Sequence, residues 1–159
     1  MYTSVLSTPI GQMVIRANNK AVYFIGFPET VPDEKPNDLT EQASVQLAEY
    51  FNGTRHQFDF AIEQPGTDFQ QTVWKELLNI ETGKPISYAS LSKKMNNPLA
   101  IRAIAAANGK NNLMVVVPCH RVIGSNGDLV GFGGGLWRKK WLLDHEVIIT
   151  KTGQSSLTF

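Results

Sequence analysis

From Tyr2 to Phe27, short apolar runs alternate with the turn signals Thr8-Pro9-Ile10-Gly11 and Asn18-Asn19-Lys20. That pattern predicts a three-stranded antiparallel meander. Positions 28–38 are polar and proline-rich and read as a loop. Across 39–51, Val45, Leu47, Ala48 and Phe51 recur among polar residues, predicting a helix closed by Asn52-Gly53. Phe58 and Phe60 predict one last short strand, and the turn Gln64-Pro65-Gly66 marks a boundary between 1–65 and 66–159.

Beyond the boundary, Thr67 and Gln70 have the spacing of a capping box and open a predicted helix. Its apolar face is Phe69, Val73, Trp74, Leu77 and Leu78, with Gln70 and Lys75 outside. Ser87 caps a predicted short helix that reaches Met95 and stops at Asn96. Asn97 then caps a second helix, with Pro98 in its first turn and Leu99 to Asn108 running to Gly109. Two short helices joined by a tight turn form a helix-turn-helix candidate. In the second, Ile101 and Ile104 are expected inward, while Arg102 stands at the exposed edge among Ala100, Ala103, Ala105, Ala106 and Ala107. Small side chains allow close approach to another surface, and helix propensity accounts for the alanines equally well. Leu113 to Val117 predicts a buried strand ending at Pro118. A glycine-rich stretch over 124–135 leads to a helix from Leu136 to His145 with the stripe Trp137, Trp141 and Leu142, then a tail over 148–159. His145 is expected at that helix's C-terminus, and Lys139 and Lys140 on a solvated face.

Composition narrows this picture mainly by exclusion. The net charge of +1 over 159 residues means that any nucleic-acid partner must meet a local basic surface. No run is long and apolar enough for a membrane span, and the start lacks a basic segment followed by an apolar one, so a cytoplasmic location is expected. The single cysteine cannot form an internal disulfide, which fits a reducing compartment, and it leaves too few ligands for a usual structural zinc site. No metal or cofactor is expected.

That cysteine, Cys119, follows Pro118 and precedes His120 and Arg121, so the sulfur stands beside a titratable base and a cation. Such neighbours raise the thiolate fraction near neutral pH, and the thiolate is the nucleophile. The run Pro118-Cys119-His120-Arg121-Val122-Ile123 resembles the active-site motif of the O6-alkylguanine-DNA alkyltransferases. Ile86-Ser87-Tyr88 and Arg102-Ala103-Ile104 are similar to that family in order and in distance to the cysteine, and the resemblance extends from about Phe69 to Glu146.

The resemblance implies a fold of mixed α/β (α+β) class: a small ribonuclease H-like sheet-and-helix lobe, then a mostly helical, winged helix-turn-helix-like alkyltransferase domain. It implies direct, irreversible transfer of an alkyl group from O6-alkylguanine, and from O4-alkylthymine, in double-stranded DNA to Cys119, by a monomer. The stacked base must first be flipped out, at a cost of a few kcal/mol. Arg102 is then the finger filling the vacated stack, with Ala103, Asn97, Gln70, Ser125 and Tyr88 also at the DNA. His120 takes the thiol proton through a water, Glu146 orients the imidazole, Tyr88 protonates the departing guanine, and Asn111 ties the helix-turn-helix to the active-site segment. Met114, Val122, Phe132 and Gly133 line the base and alkyl pocket. A thioether has no activated leaving group, so each molecule reacts once.

Some positions depart from the family pattern: Phe132 where tyrosine is common, Met114 where proline is common, and the flexible Gly133-Gly134-Gly135. They bear on substrate size. Competing readings are a damage-binding protein without an acceptor, a helix-turn-helix regulator and a Cys-His hydrolase. Cys119 opposes the first, and Pro118-Cys119-His120-Arg121 has no role in the second. The third needs aimed oxyanion donors, for which a glycine run is weak support.

Overall fold

The computed structural model describes residues 1–151, and these divide into two compact units. Met1–Pro65 with Asn112–Val116 forms the first, and Gly66–Asn111 with the chain from Val117 onward forms the second. The short segment after Asn111 thus returns to the first unit, which a cut at 65/66 does not anticipate.

In the first unit, β1 (Tyr2–Thr8), β2 (Gly11–Ala17) and β3 (Val22–Gly26) form the expected antiparallel meander in the order β1-β2-β3. Val5 faces Val14 and Ile15 faces Ile25 across the ladder. Gly11, at φ 121°, takes the left-handed turn conformation that suits glycine. Helix α1 (Asp38–Asn52) starts from an Asn37–Thr40 capping box and stops at Gly53, φ 86°. Its buried face runs through Ala43, Leu47 and Tyr50 against the sheet, while Val45 is 60% exposed. The apolar pattern around Val45 therefore misplaced the face by part of a turn.

Two predicted strands do not form. Phe58 and Phe60 lie in irregular chain, their rings 6.0 Å apart with Phe58 5.9 Å from Tyr50, and only Ile62 makes a single bridge to Val22. Leu113 likewise makes one bridge, to Ile25, on the free edge of β3. The chain then folds back, because Val116 N–H donates to the Met114 carbonyl at 2.8 Å around Val115, φ 73°. This is a γ-turn of the rare, strained hand, and a β-branched residue in that region costs about 1–3 kcal/mol. Burial of Val115 and Val117 was read correctly from their apolarity, but burial does not require a ladder.

The second unit opens with α2 (Asp68–Leu77), capped reciprocally by Thr67 and Gln70. Val73, Trp74 and Leu77 are buried, and the Trp74 indole N–H donates to the Ala107 carbonyl at 2.9 Å. Leu78 falls beyond the helix and is half exposed. Strand β4 (Ile86–Ser87) pairs in parallel with β5 (Val122–Ile123), which brings the start of α3 (Tyr88–Lys94) beside the residues that follow Cys119. Ser87 caps α3 as expected, accepting from Ser90 N–H.

Helix α4 is Ile101–Gly109, shorter than predicted. Asn97 does not cap it: its N–H goes to the Ser92 carbonyl and its own carbonyl accepts from Ala100, closing a separate turn through Pro98 and Leu99. Ile104, Ala107 and Asn108 face inward, whereas Ile101 is 40% exposed and Leu99 is 96% exposed.

Helix α5 (Leu136–Thr150) runs past the predicted end at His145. His145 consequently lies within the helix, stacked on Trp141 at 4.6 Å, and not at a C-terminus. The buried stripe is Lys139, Leu142 and Glu146, with Trp137 exposed. Two of these three are charged, so hydrophobic periodicity found Leu142 but missed the other two. Part of the tail expected over 148–159 is this last helical turn, and positions 152–159 lie outside the described residues. No described helix is long and apolar enough to cross a membrane.

Candidate active site

The site is built around the backbone turn at Pro118. Cys119 N–H donates to the Val117 carbonyl at 2.8 Å, an inverse γ-turn that fits the fixed φ of proline, here −81°. A single 3-10 turn over Cys119–Arg121 follows, against α5 and α2. This turn buries all three side chains, and Cys119 itself is 6% exposed.

His120 Nε2 lies 2.7 Å from Glu146 Oε2. A carboxylate only accepts, so Nε2 carries the proton and Nδ1 keeps its lone pair. Nδ1 is buried and makes no hydrogen bond among the described residues. Burial lowers the histidine pKa, partly offset by Glu146, so the ring is neutral and basic at physiological pH. Arg121 grips the same carboxylate in a fork, Nε to Oε1 at 2.8 Å and Nη2 to Oε2 at 3.0 Å, and donates from Nη1 to the Ile80 carbonyl at 2.9 Å. Burial alone would push the Glu146 carboxyl up, but His120 and Arg121 together hold it well below the usual carboxylate range.

The thiol does not have the environment that adjacency in sequence implies. Burial pushes the Cys119 pKa up, opposed by a hydrogen bond from the Asn111 side chain and by the charge of Lys139. Arg121, two residues on in the chain, is committed to Glu146 and Ile80. The cation serving the sulfur is instead Lys139, which is fully buried and donates from Nζ to the Val122 carbonyl at 2.7 Å and to the Gly131 carbonyl at 3.3 Å. Its own pKa falls to about 8 through burial. The expectation of a solvated Lys139 is therefore wrong, while Lys140 does lie outside, paired with Asp144. Spacing could have flagged Lys139, because it sits three residues before Leu142 and seven before Glu146.

Asn108 was also missed, since an Asn-Gly pair at a helix end reads as a stop signal. Its Nδ2 lies 3.0 Å from Tyr88 Oη and 3.2 Å from the Cys119 carbonyl oxygen. Asn111 Nδ2 donates to the Val117 carbonyl at 2.8 Å, fastening the end of α4 to the turn before the cysteine. Tyr88, Asn108, Asn111, Cys119, His120, Arg121, Lys139 and Glu146 thus form one buried network within the second unit.

The remaining expected residues are placed more loosely. Arg102 and Ala103 are exposed on α4, as are Asn97 before it and Ser125 in the glycine-rich loop. Gln70 is half-buried and committed to its cap, Oε1 accepting from Thr67 N–H at 3.0 Å. Val122 is buried with its carbonyl already accepting from Lys139, Phe132 is half-buried and Gly133 is exposed. Met114 is half-buried within the first unit, its N–H donating to the Ile25 carbonyl at 3.1 Å.

Comparison with known proteins identifies the family. Residues 68–148 match the family model of the 6-O-methylguanine DNA methyltransferase DNA-binding domain, and residues 1–64 match that of its ribonuclease-like domain. A methylated-DNA–protein-cysteine methyltransferase of Methanosarcina acetivorans is 36% identical over 153 residues, 92% of this chain and 98% of that protein. One from Haemophilus influenzae is 35% identical over 156 residues, 93% of this chain and 87% of that protein. Among solved structures, Mycobacterium tuberculosis OGT in complex with DNA superposes with a TM-score of 0.85 at 36% identity, covering 94% of each chain. The chain belongs to the 6-O-methylguanine DNA methyltransferase family, the methylated-DNA–protein-cysteine methyltransferases.

Proposed function

We propose that this protein repairs double-stranded DNA by moving the alkyl group of O6-alkylguanine, and of O4-alkylthymine, onto Cys119 in a single irreversible event. The carrying observation is the buried network around the only cysteine, in which Glu146 holds Nε2 of His120 and leaves Nδ1 as a base. His120 Nδ1 removes the thiol proton through a bridging water, and the sulfur attacks the alkyl carbon in line. The carbon–sulfur bond forms as the carbon–O6 bond breaks, and its electron pair moves into the guanine ring. Tyr88 protonates that ring, and the proton held by His120 returns through solvent to the tyrosinate. The net change is thiol plus alkylguanine to thioether plus guanine.

Arg102, exposed on α4 among alanines, suits the gap left by a flipped base, and α4 with Ala103 suits the minor groove. Asn97 and Ser125, both exposed, suit the flanking DNA contacts, and the half-buried Gln70 is proposed as a further one. Val122, Phe132 and Gly133 are proposed to line the base and alkyl pocket. We assign DNA binding and transfer to 66–159 and a supporting role to 1–65, in a cytoplasmic monomer that needs no cofactor.

Intact mass after incubation with a duplex carrying one O6-methylguanine tests this. One addition of about 14 Da, the mass of a methylene in place of no added group, stopping at one equivalent, mapping to Cys119 and absent in Cys119→Ala, is expected for stoichiometric covalent transfer. Tight lesion binding without mass gain would leave a damage-binding or regulatory protein.

A further inference from the structure

Asn108 touches both the backbone of the nucleophile and the hydroxyl of Tyr88, and it lies in none of the motifs described above. The Cys119 carbonyl oxygen can only accept, so the carboxamide atom 3.2 Å from it must be the nitrogen. The same nitrogen lies 3.0 Å from Tyr88 Oη and can only donate, so the phenol oxygen is the acceptor. The hydroxyl hydrogen is thereby turned away from Asn108, and it has no acceptor among the described residues.

We infer that Asn108 is a positioning residue that sets the polarity of the Tyr88 hydroxyl, aiming its proton at the departing base. The inference rests on the proposed role of Tyr88 as proton donor. Without a fixed donor, the hydroxyl hydrogen has no set direction. Donation to the phenol oxygen also stabilises the tyrosinate left after proton transfer, in line with the downward pull of Asn108 against the rise that burial imposes on Tyr88. A second observation supports a role beyond packing: Asn108 Oδ1 is buried without a partner among the described residues, a penalty that an apolar side chain at the same place in α4 would avoid.

The test is a double-mutant cycle on the single-turnover rate of methyl uptake from O6-methylguanine duplex, with affinity for the same duplex as the folding control. Asn108→Asp replaces the donor with an acceptor that captures the Tyr88 hydrogen, and it should slow transfer by about 100-fold or more, the worth of a general acid. Asn108→Ala releases the hydroxyl and should slow it by roughly tenfold, the worth of one hydrogen bond. Both penalties should shrink to near unity in the Tyr88→Phe background. Equal penalties in both backgrounds would overturn the inference, because a packing or charge effect does not need the hydroxyl. If Asn108→Asp does not fold, the Asn108→Ala pair decides alone. If Tyr88→Phe by itself leaves the rate unchanged, the proton-donor reading fails and the inference falls with it.

Discussion

Glu146 joins opposing effects at one carboxylate: burial disfavours its charge, and a histidine and a forked arginine restore it. Its folded pKa lies below the ordinary value of 4.5, so the stability it contributes is present above that value and is lost as pH falls below it. Glu146→Gln leaves the Arg121 charge buried without its partner, and we expect a loss of about 3–5 kcal/mol, read as a lower urea midpoint. The acid-side decline in stability should flatten in the same variant.

Lys139 has the opposite relation to pH. Its folded value of about 8 is below the ordinary 10.5, so the unfolded chain binds more protons between these limits. Its contribution is therefore unfavourable below pH 8 and improves as pH rises towards 10.5. The stability difference between wild type and Lys139→Met should change across that window and nowhere else. Removing the charge also takes a favourable neighbour from the thiol. The pH profile of methyl uptake should consequently move to higher pH in Lys139→Met, and an unmoved profile would show that the lysine does not serve the sulfur.

At the scale of elements, caps were the most legible feature and strands the least. Thr67 and Gln70 form the capping box that their spacing predicts, because a cap is a local bargain between a side chain and N–H groups two or three residues away. Thr67→Ala should cost about 1 kcal/mol in chemical denaturation without changing methyl uptake per folded molecule. Asn97 failed as a cap because the chain before it is already closed by the bond to Ser92, so the helix begins after a further turn. Leu113 to Val117 has the composition of a strand, yet a strand needs a partner edge. Only Ile25 of β3 pairs with it before the chain folds back at Val115.

The whole molecule carries almost no net charge, so its hold on DNA has to come from cations on one face. Arg102, exposed on α4, is the first that we propose for this role. Arg102→Ala should weaken lesion binding, and if its guanidinium also neutralises a phosphate, the slope of log affinity against log salt should fall by about one. An unchanged slope with weaker binding would assign Arg102 to the base stack alone.

Local chemistry made much of this protein readable from its sequence: the meander, the glycine stop of α1, the N-caps of α2 and α3, the single acceptor thiol and the motif around it. These depend on residues close together in the chain, or on a residue type that occurs once. Tertiary structure alone decided which cation serves the thiol, that Arg121 faces Glu146, that Asn108 joins Tyr88 to Cys119, and that Asn112–Val116 belongs with the first unit. Each of those outcomes depends on partners many positions apart. Spacing can place a lysine or asparagine on the inner face of a helix, but which carbonyl receives its hydrogen, and so what makes its burial tolerable, is set only by the fold.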